Sequence, residues 1–206
     1  MGKINNRLAL KIQRYFRKNK KPLIILISGV NGIGKTTTAF ALSNILRIKQ
    51  RVGLGTIVKT LITMNPNKNE YQEMDNNFSC ANDKKLKQQA RTISKPVNLL
   101  IDKYYKDGVS CIIEGMQLFP MYLNKKIFHF HIAVDNVKKY KKQLFSPETR
   151  YKRKISKKDL ENLLKIDDFL EKQMYNYNVC VLKNSETLIA IINKILYTIA
   201  SDTGIS

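Results

Sequence analysis

Ile24-Ile25-Leu26-Ile27-Ser28-Gly29-Val30-Asn31-Gly32-Ile33-Gly34-Lys35-Thr36-Thr37 reads as a buried strand, a glycine loop and the start of a helix. Gly29, four residues, then Gly34-Lys35-Thr36 is the spacing of a phosphate-binding P-loop. The flanks agree with it. The apolar run Leu23 to Ile27 enters the loop, and Ala39, Leu42, Ile45 and Leu46 keep helical spacing beyond it. A triphosphate must be wrapped by several backbone N–H groups at close range. Gly29, Gly32 and Gly34 carry no Cβ, so the chain can curl tightly around an anion. A helix beginning near Lys35 adds its unpaired N–H groups and the positive end of its dipole. Lys35 would reach the β- and γ-phosphates, and the Thr36 hydroxyl would ligate Mg²⁺. The predicted nucleotide-binding residues are Gly29, Asn31, Gly32, Ile33, Gly34, Lys35, Thr36 and Thr37.

A chain of 206 residues fits one domain, able to bury ~70% of its unfolded surface. Apolar content of 43% supports a core. No apolar run reaches the about 18 residues that a membrane span needs. Residues 1–21 are basic and amphipathic and lack the apolar core of a signal peptide, so a cytoplasmic location is expected. Cys80, Cys111 and Cys180 have no metal or redox spacing, and the last two sit in apolar strand patterns. A reduced setting follows. Lys and Arg number 37 against 16 Asp and Glu, a formal net charge of +21. Such an excess favours anionic partners. A nucleotide and a phosphorylated metabolite satisfy it, and so would RNA or DNA.

Ile4, Leu8, Ile12 and Phe16 recur every fourth residue and predict a helix over 3–19 with one apolar stripe. The expectation is a helix packed on the domain with a solvated basic face. A polyanion-binding arm or a homodimer contact is the other use of such a helix. Arg51 to Thr56 suggests a short strand or turn, and Ile57 to Met64 a helix. Residues 65–82 read as a polar loop or lid. A helix is expected from Asp83 to about Ser94, with Pro96 breaking or bending the pattern and a second helical stretch over Val97 to Lys106. Val109–Ile113, Lys126–Val134 and Val179–Leu182 read as further strands. Residues 136–143, Lys157–Tyr175 and Glu186–Ala200 read as helices. Strands alternating with helices, without period-two polarity, imply a mostly parallel sheet covered on both faces. Ligands in such sheets sit beyond the carboxyl ends of the strands.

Glu114, after the strand Val109–Ile113, is therefore the candidate to hold a metal-bound water or to accept a proton from an attacking hydroxyl. Thr36 and Glu114 are the predicted Mg²⁺ residues, and Lys35 and Glu114 lead the catalytic set. Asp135 is expected to cap the next helix. Residues 138–158 carry ten Lys and Arg and one acid, Glu148. A basic lid of this kind would screen and offset charge on a transferred phosphoryl group. Arg150 and Arg153 are the favoured pair, because guanidinium groups grip phosphate in a bidentate way. His129 and His131 alternate in an apolar strand and share a face. With no Cys or acidic ligand pattern nearby, they are expected to be packed or surface histidines rather than a metal site.

Gly108 to Pro120, with Ile112-Ile113-Glu114-Gly115-Met116-Gln117-Leu118-Phe119-Pro120, resembles the second motif of archaeal 2-phosphoglycerate kinases. That family belongs to the small P-loop kinases related to nucleotide kinases. Ser28–Thr38 is also similar to the family, as is the stretch from Arg150 through Tyr177 to Asn184. The resemblance implies a three-layer α/β/α P-loop kinase fold, with a mostly parallel five-stranded sheet and a basic lid at 144–158, as a single domain over 1–206. It implies ATP as donor, Mg²⁺, and a small phosphorylated acid or similar hydroxyl compound as acceptor. It assigns Lys35 and Thr36 to phosphate and Mg²⁺, Glu114 to the reaction centre and Asn184 to the adenine side. The chain departs from the family where Gln117 replaces a usual His. Thr56 and Lys59 also stand where an Asp followed by an Arg is expected. Two alternatives accompany a small-molecule kinase: a polynucleotide or RNA kinase, and a nucleotide-dependent RNA-binding protein. A guanine-recognition pattern of the Asn-Lys-x-Asp type is missing from the chain.

Overall fold

The computed structural model describes residues 2–72, 74, 83–123, 127–146 and 155–205. Its centre is β1 (Ile24–Ser28), all five residues of which are buried. β-Branched and leucine side chains on both faces leave this strand no polar side, so it can only be an inner strand. β3 (Cys111–Gly115) pairs with it on one edge and β4 (Phe128–Ala133) on the other, both parallel. β2 (Gln50–Gly53) and β5 (Cys180–Lys183) complete the order β2-β3-β1-β4-β5, again in parallel. The expected mostly parallel sheet is thus parallel in every pairing. Because β3 and β4 lie on either side of β1, a crevice opens beyond the carboxyl end of β1. The P-loop stands there.

Alternate residues of β1 feed two cores. Ile25 and Ile27 pack with Leu8 and Ile12 of α1 (Asn6–Lys18), Leu42 and Leu46 of α2 (Lys35–Leu46), and Ile195 of the last helix (Leu188–Thr203). Ile24 and Leu26 pack with Leu54, Val58 and Ile62 of α3 (Leu54–Met64) and with Ile93, Val97 and Ile101 of a long helix, Asp83–Lys106. Helices on both faces of one sheet give the three-layer α/β/α architecture. A short helical turn, α4 (Asn69–Gln72), separates α3 from the long helix, α5. The basic N-terminal helix is packed as expected, with the Asn5 side chain capping it by accepting from Leu8 N–H.

Several expectations are corrected. Of the break or bend expected at Pro96, no break occurs: α5 is one helix through it. A mid-helix proline costs about 3 kcal/mol. Here Leu86, Ala90 and Ile93 are buried before it and Val97 and Ile101 after it. At about 1.5–3 kcal/mol per buried side chain, that packing outweighs the proline. α3 begins at Leu54, before the expected Ile57. β3 extends through Glu114 to Gly115, so Glu114 is a strand residue rather than the residue after one. The helix α6 (Val137–Leu144) is capped by Asn136, which accepts from Lys139 N–H, and not by Asp135. Asp135 instead accepts from the backbone and hydroxyl of Ser185.

The helix α7 (Lys157–Asn176) starts with a capping box between Ser156 and Asp159. It buries Leu163, Ile166, Leu170 and Met174, close to its predicted inner face. The last helix, Leu188–Thr203, is α8. Cys111 lies in the core, where burial pushes its thiol up to about 12 and leaves it unreactive. No helix among the described residues is long and apolar enough to cross a membrane.

Candidate active site

The loop from Gly29 to Gly34 makes its curl with left-handed glycines. Gly29 has φ +143°, and a Cβ there would stand 2.5 Å from the carbonyl oxygen of Ile132. Gly34, with φ +105°, is the N-cap of α2 and leaves that helix without a side-chain cap. The first N–H groups of α2 therefore point at the loop's concavity, which suits an anion. Lys35 is buried and its ammonium donates to the carbonyl of Val30 within the loop, at 2.9 Å. The Asn31 amide nitrogen is buried with no hydrogen-bond partner among the described residues. A buried orphan donor in a ring of N–H groups fits a loop shaped for an anion. Ile33 is buried, while Thr36 and Thr37 are exposed at the mouth.

Glu114 meets this loop. The Thr36 hydroxyl donates to Glu114 Oε1 at 2.8 Å. Parallel pairing sets the approach: Ile27 lies beside Glu114 and Ser28 beside Gly115, so the end of β3 reaches the level at which β1 gives way to the loop. On the other edge Gly53 pairs with Glu114, and a Cβ on Gly53 would come within 3.3 Å of Glu114 Oε1. The hydroxyl and the carboxylate are hard oxygen donors, suited to Mg²⁺. No cluster of three His, Cys, Asp or Glu among the described residues forms a metal cage. The donor set fits Mg²⁺ held jointly with substrate phosphates and water, the usual arrangement for this ion.

Two supports escape sequence reading. Tyr140 of α6 is fully buried and its hydroxyl donates to the carbonyl of Asn31 at 2.7 Å. Burial raises its pKa, which keeps it a donor. The signal was faint: a single tyrosine in the basic stretch Val137–Leu144. The second support lies under the loop. Ser28 Oγ sits 2.8 Å from His129 Nε2 and 2.9 Å from His131 Nδ1. Burial depresses both imidazoles to about 3 and keeps them neutral. The hydroxyl has one hydrogen to give, so at least one ring nitrogen of the pair must donate. The histidines share a face as expected and are packed. Their partner, Ser28, follows from strand register and has no trace in spacing.

Asn184 is buried at the end of β5. Its side-chain oxygen accepts from the N–H groups of Asp135 and Asn136, and its nitrogen donates to Asn136 O. It stitches β5 to the turn between β4 and α6, so its amide is engaged within the protein rather than open toward a base. Arg150 and Arg153 lie outside the described residues. The predicted lid at 144–158 is described only up to Ser146 and from Ile155 onward. Along α3, an open cleft of about 550 Å³ is lined by Gly55, Thr56 and Lys59. It borders the strand end that presents Gly53 to Glu114.

A P-loop at the carboxyl end of a central strand, in a parallel sheet ordered β2-β3-β1-β4-β5 and flanked by helices, is the fold of the P-loop kinases. Solved structures sharing it include a gluconokinase from Sinorhizobium meliloti, with TM-score 0.57 and 11% identity over 89% of this chain and 95% of that one. A shikimate kinase from Acinetobacter baumannii in complex with shikimate also matches, with TM-score 0.57 and 11% identity over 91% and 98%. In sequence, the chain resembles a 2-phosphoglycerate kinase of Pyrococcus furiosus, with 27% identity over 210 aligned residues and 92% of this chain. It spans 66% of that relative's length. No protein-family model matches the chain.

Proposed function

We propose that the protein is an ATP-dependent phosphotransferase that moves the γ-phosphoryl group to a hydroxyl of a small, anionic metabolite of the 2-phosphoglycerate type. The observation that carries this reading is the 2.8 Å hydrogen bond between Thr36 and Glu114 at the mouth of the P-loop. It brings a carboxylate to the place where phosphates would end. A switch would also use such a carboxylate for Mg²⁺, so the turnover of an acceptor hydroxyl is what separates the two readings. Residues 1–206 act as one kinase domain in this reading, with the basic segment 144–158 as its lid.

The loop N–H groups, Asn31 and the α2 N-terminus bind the phosphates. Lys35 exchanges its Val30 carbonyl for phosphate oxygens. Mg²⁺, held by Thr36 and Glu114 directly or through water, would neutralise charge shared between the phosphates. Glu114 accepts the proton of the acceptor hydroxyl as its oxygen bonds to phosphorus and ADP leaves. Arg150 and Arg153 are proposed to close on the transferred group. Thr56, Lys59 and the uncapped start of α3 are proposed to face the acceptor's anionic end, with Lys59 a point charge there rather than a bidentate guanidinium. Asn184 serves the adenine side through the turn it holds.

Thermal melting tests the donor half. At a hundredfold excess of MgATP over its Kd the parent should gain about 2.7 kcal/mol. Lys35→Ala should lose most of the shift, and an unshifted parent would refute the assignment. Labelled ATP with a panel of phosphorylated hydroxy acids, nucleosides and 5′-hydroxyl RNA tests the acceptor half. Turnover of RNA alone would favour a polynucleotide kinase, the reading that the net charge of +21 supports.

A further inference from the structure

At the edge of the sheet opposite the P-loop, where β1 and β3 begin, lies an open cleft of about 650 Å³. Its rim carries Arg14, Arg17, Lys20, Lys21 and Arg47, and no Asp or Glu lines it among the described residues. None of these five cations forms an ion pair with a described residue. Three helices end beside it: Lys20 and Lys21 follow α1, Arg47 caps α2 and Gly108 follows α5. Some positive charge is needed there to offset their carbonyls. Three ends carry about −1.5 charges together, so five cations leave a surplus of about +3.5. Helix capping therefore accounts for less than half of the charge.

The backbone points the same way. Only three non-glycine residues among those described have positive φ, and two of them are Lys20 (52°) and Arg47 (54°). Glycine is the usual occupant of such helix-end positions, because a Cβ resists the left-handed conformation. Here both positions hold long cations aimed at one cleft. The positive field continues beyond it along α1, where Arg7, Arg14 and Lys18 are exposed over about 16 Å of helix. Leu10, 44% exposed, lines the cleft from the same helix, while Phe16 is half-buried against the core with only part of its ring on the cleft wall. The cations are exposed and spread in a line rather than converging in a buried pocket. That layout fits an extended, flexible polyanionic chain that tracks the cations, with Leu10 beside it for a base to lie against.

We propose that this cleft and the adjoining face of α1 form a docking track for single-stranded nucleic acid, separate from the nucleotide site across the sheet. The test is fluorescence anisotropy with a labelled oligouridylate. With five phosphate contacts the parent should bind about a hundredfold more weakly at about 200 mM salt than at about 50 mM. The double variant Lys20→Gly/Arg47→Gly relieves backbone strain, so it should melt no lower than the parent. It should bind about tenfold more weakly at low salt, with a salt slope reduced by about 1.4. MgATP should not displace the strand, and Lys35→Ala should bind it as the parent does while losing its ATP melting shift. The proposal is overturned if the parent fails to bind, if the glycine variant binds as tightly as the parent, or if MgATP competes. Competition would place the strand at the P-loop, and a parent that binds the strand but shows no ATP melting shift would count only against the kinase reading.

Discussion

Thr36 and Glu114 are separated by 78 positions in sequence, and their side chains are bonded at 2.8 Å. If Glu114 takes the acceptor proton, Glu114→Gln should cut kcat by about a hundredfold or more, while the melting shift with metal-free ATP survives and that with MgATP shrinks. Steady-state turnover together with thermal shift separates these effects. Tyr140 makes a different kind of contribution. Tyr140→Phe leaves the Asn31 carbonyl without its donor and should lower stability by about 1–3 kcal/mol. The same variant should weaken MgATP binding several-fold, read by calorimetry, because the loop apex loses its brace. A Tyr140→Phe protein that matched the parent in both measurements would remove Tyr140 from the site's architecture.

Among the elements, α5 tests how far packing overrides propensity. Pro96 removes an N–H from a continuous helix whose inner face stays buried on both sides. Pro96→Ala should restore that bond and stabilise the protein, by up to about 3 kcal/mol. In a chain of this size that is a rise in Tm of about 6–12 °C. A fall in Tm would mean that neighbouring side chains need the geometry proline imposes. α6 has a linking role: Tyr140 and Leu144 touch the P-loop at Asn31 and Gly32, and the chain leads from there into 147–154. Sequence periodicity marks α6 as a helix but says nothing of its position on the loop.

At the scale of the whole molecule, buried titratable groups set the pH response of stability. Burial holds Asp167 up at about 7, although its Oδ2 accepts from the N–H of Val134. The unfolded carboxyl titrates near 3.8. Its contribution is therefore complete below about pH 3.8 and is lost as pH rises through about 7. His129 and His131 act with the opposite sign. Held near 3 against 6.5 unfolded, they contribute fully above about pH 6.5 and lose it as pH falls toward 3. Asp167 thus partly offsets the histidines in mild acid. Asp167→Asn should deepen acid sensitivity, its cost relative to the parent growing by about 2.5 kcal/mol between about pH 7.5 and pH 5. Denaturant unfolding at the two pH values measures this, and a constant cost would exclude the burial argument.

The sequence by itself determined the α/β alternation, the P-loop at the end of a buried strand, and Glu114 as a strand-end carboxylate. Each rests on local chemistry: glycines that allow the curl, apolar runs that must be covered, and helical spacing beyond the loop. Tertiary structure alone decided which distant groups meet. Strand register set Glu114 beside Gly53 and Ile27, and Ser28 between two histidines. Packing carried α5 through Pro96, moved the cap of α6 to Asn136 and aimed two left-handed cations at one cleft. Propensity and spacing act over a few residues, whereas register and packing are settled by side chains that meet only once the sheet has closed.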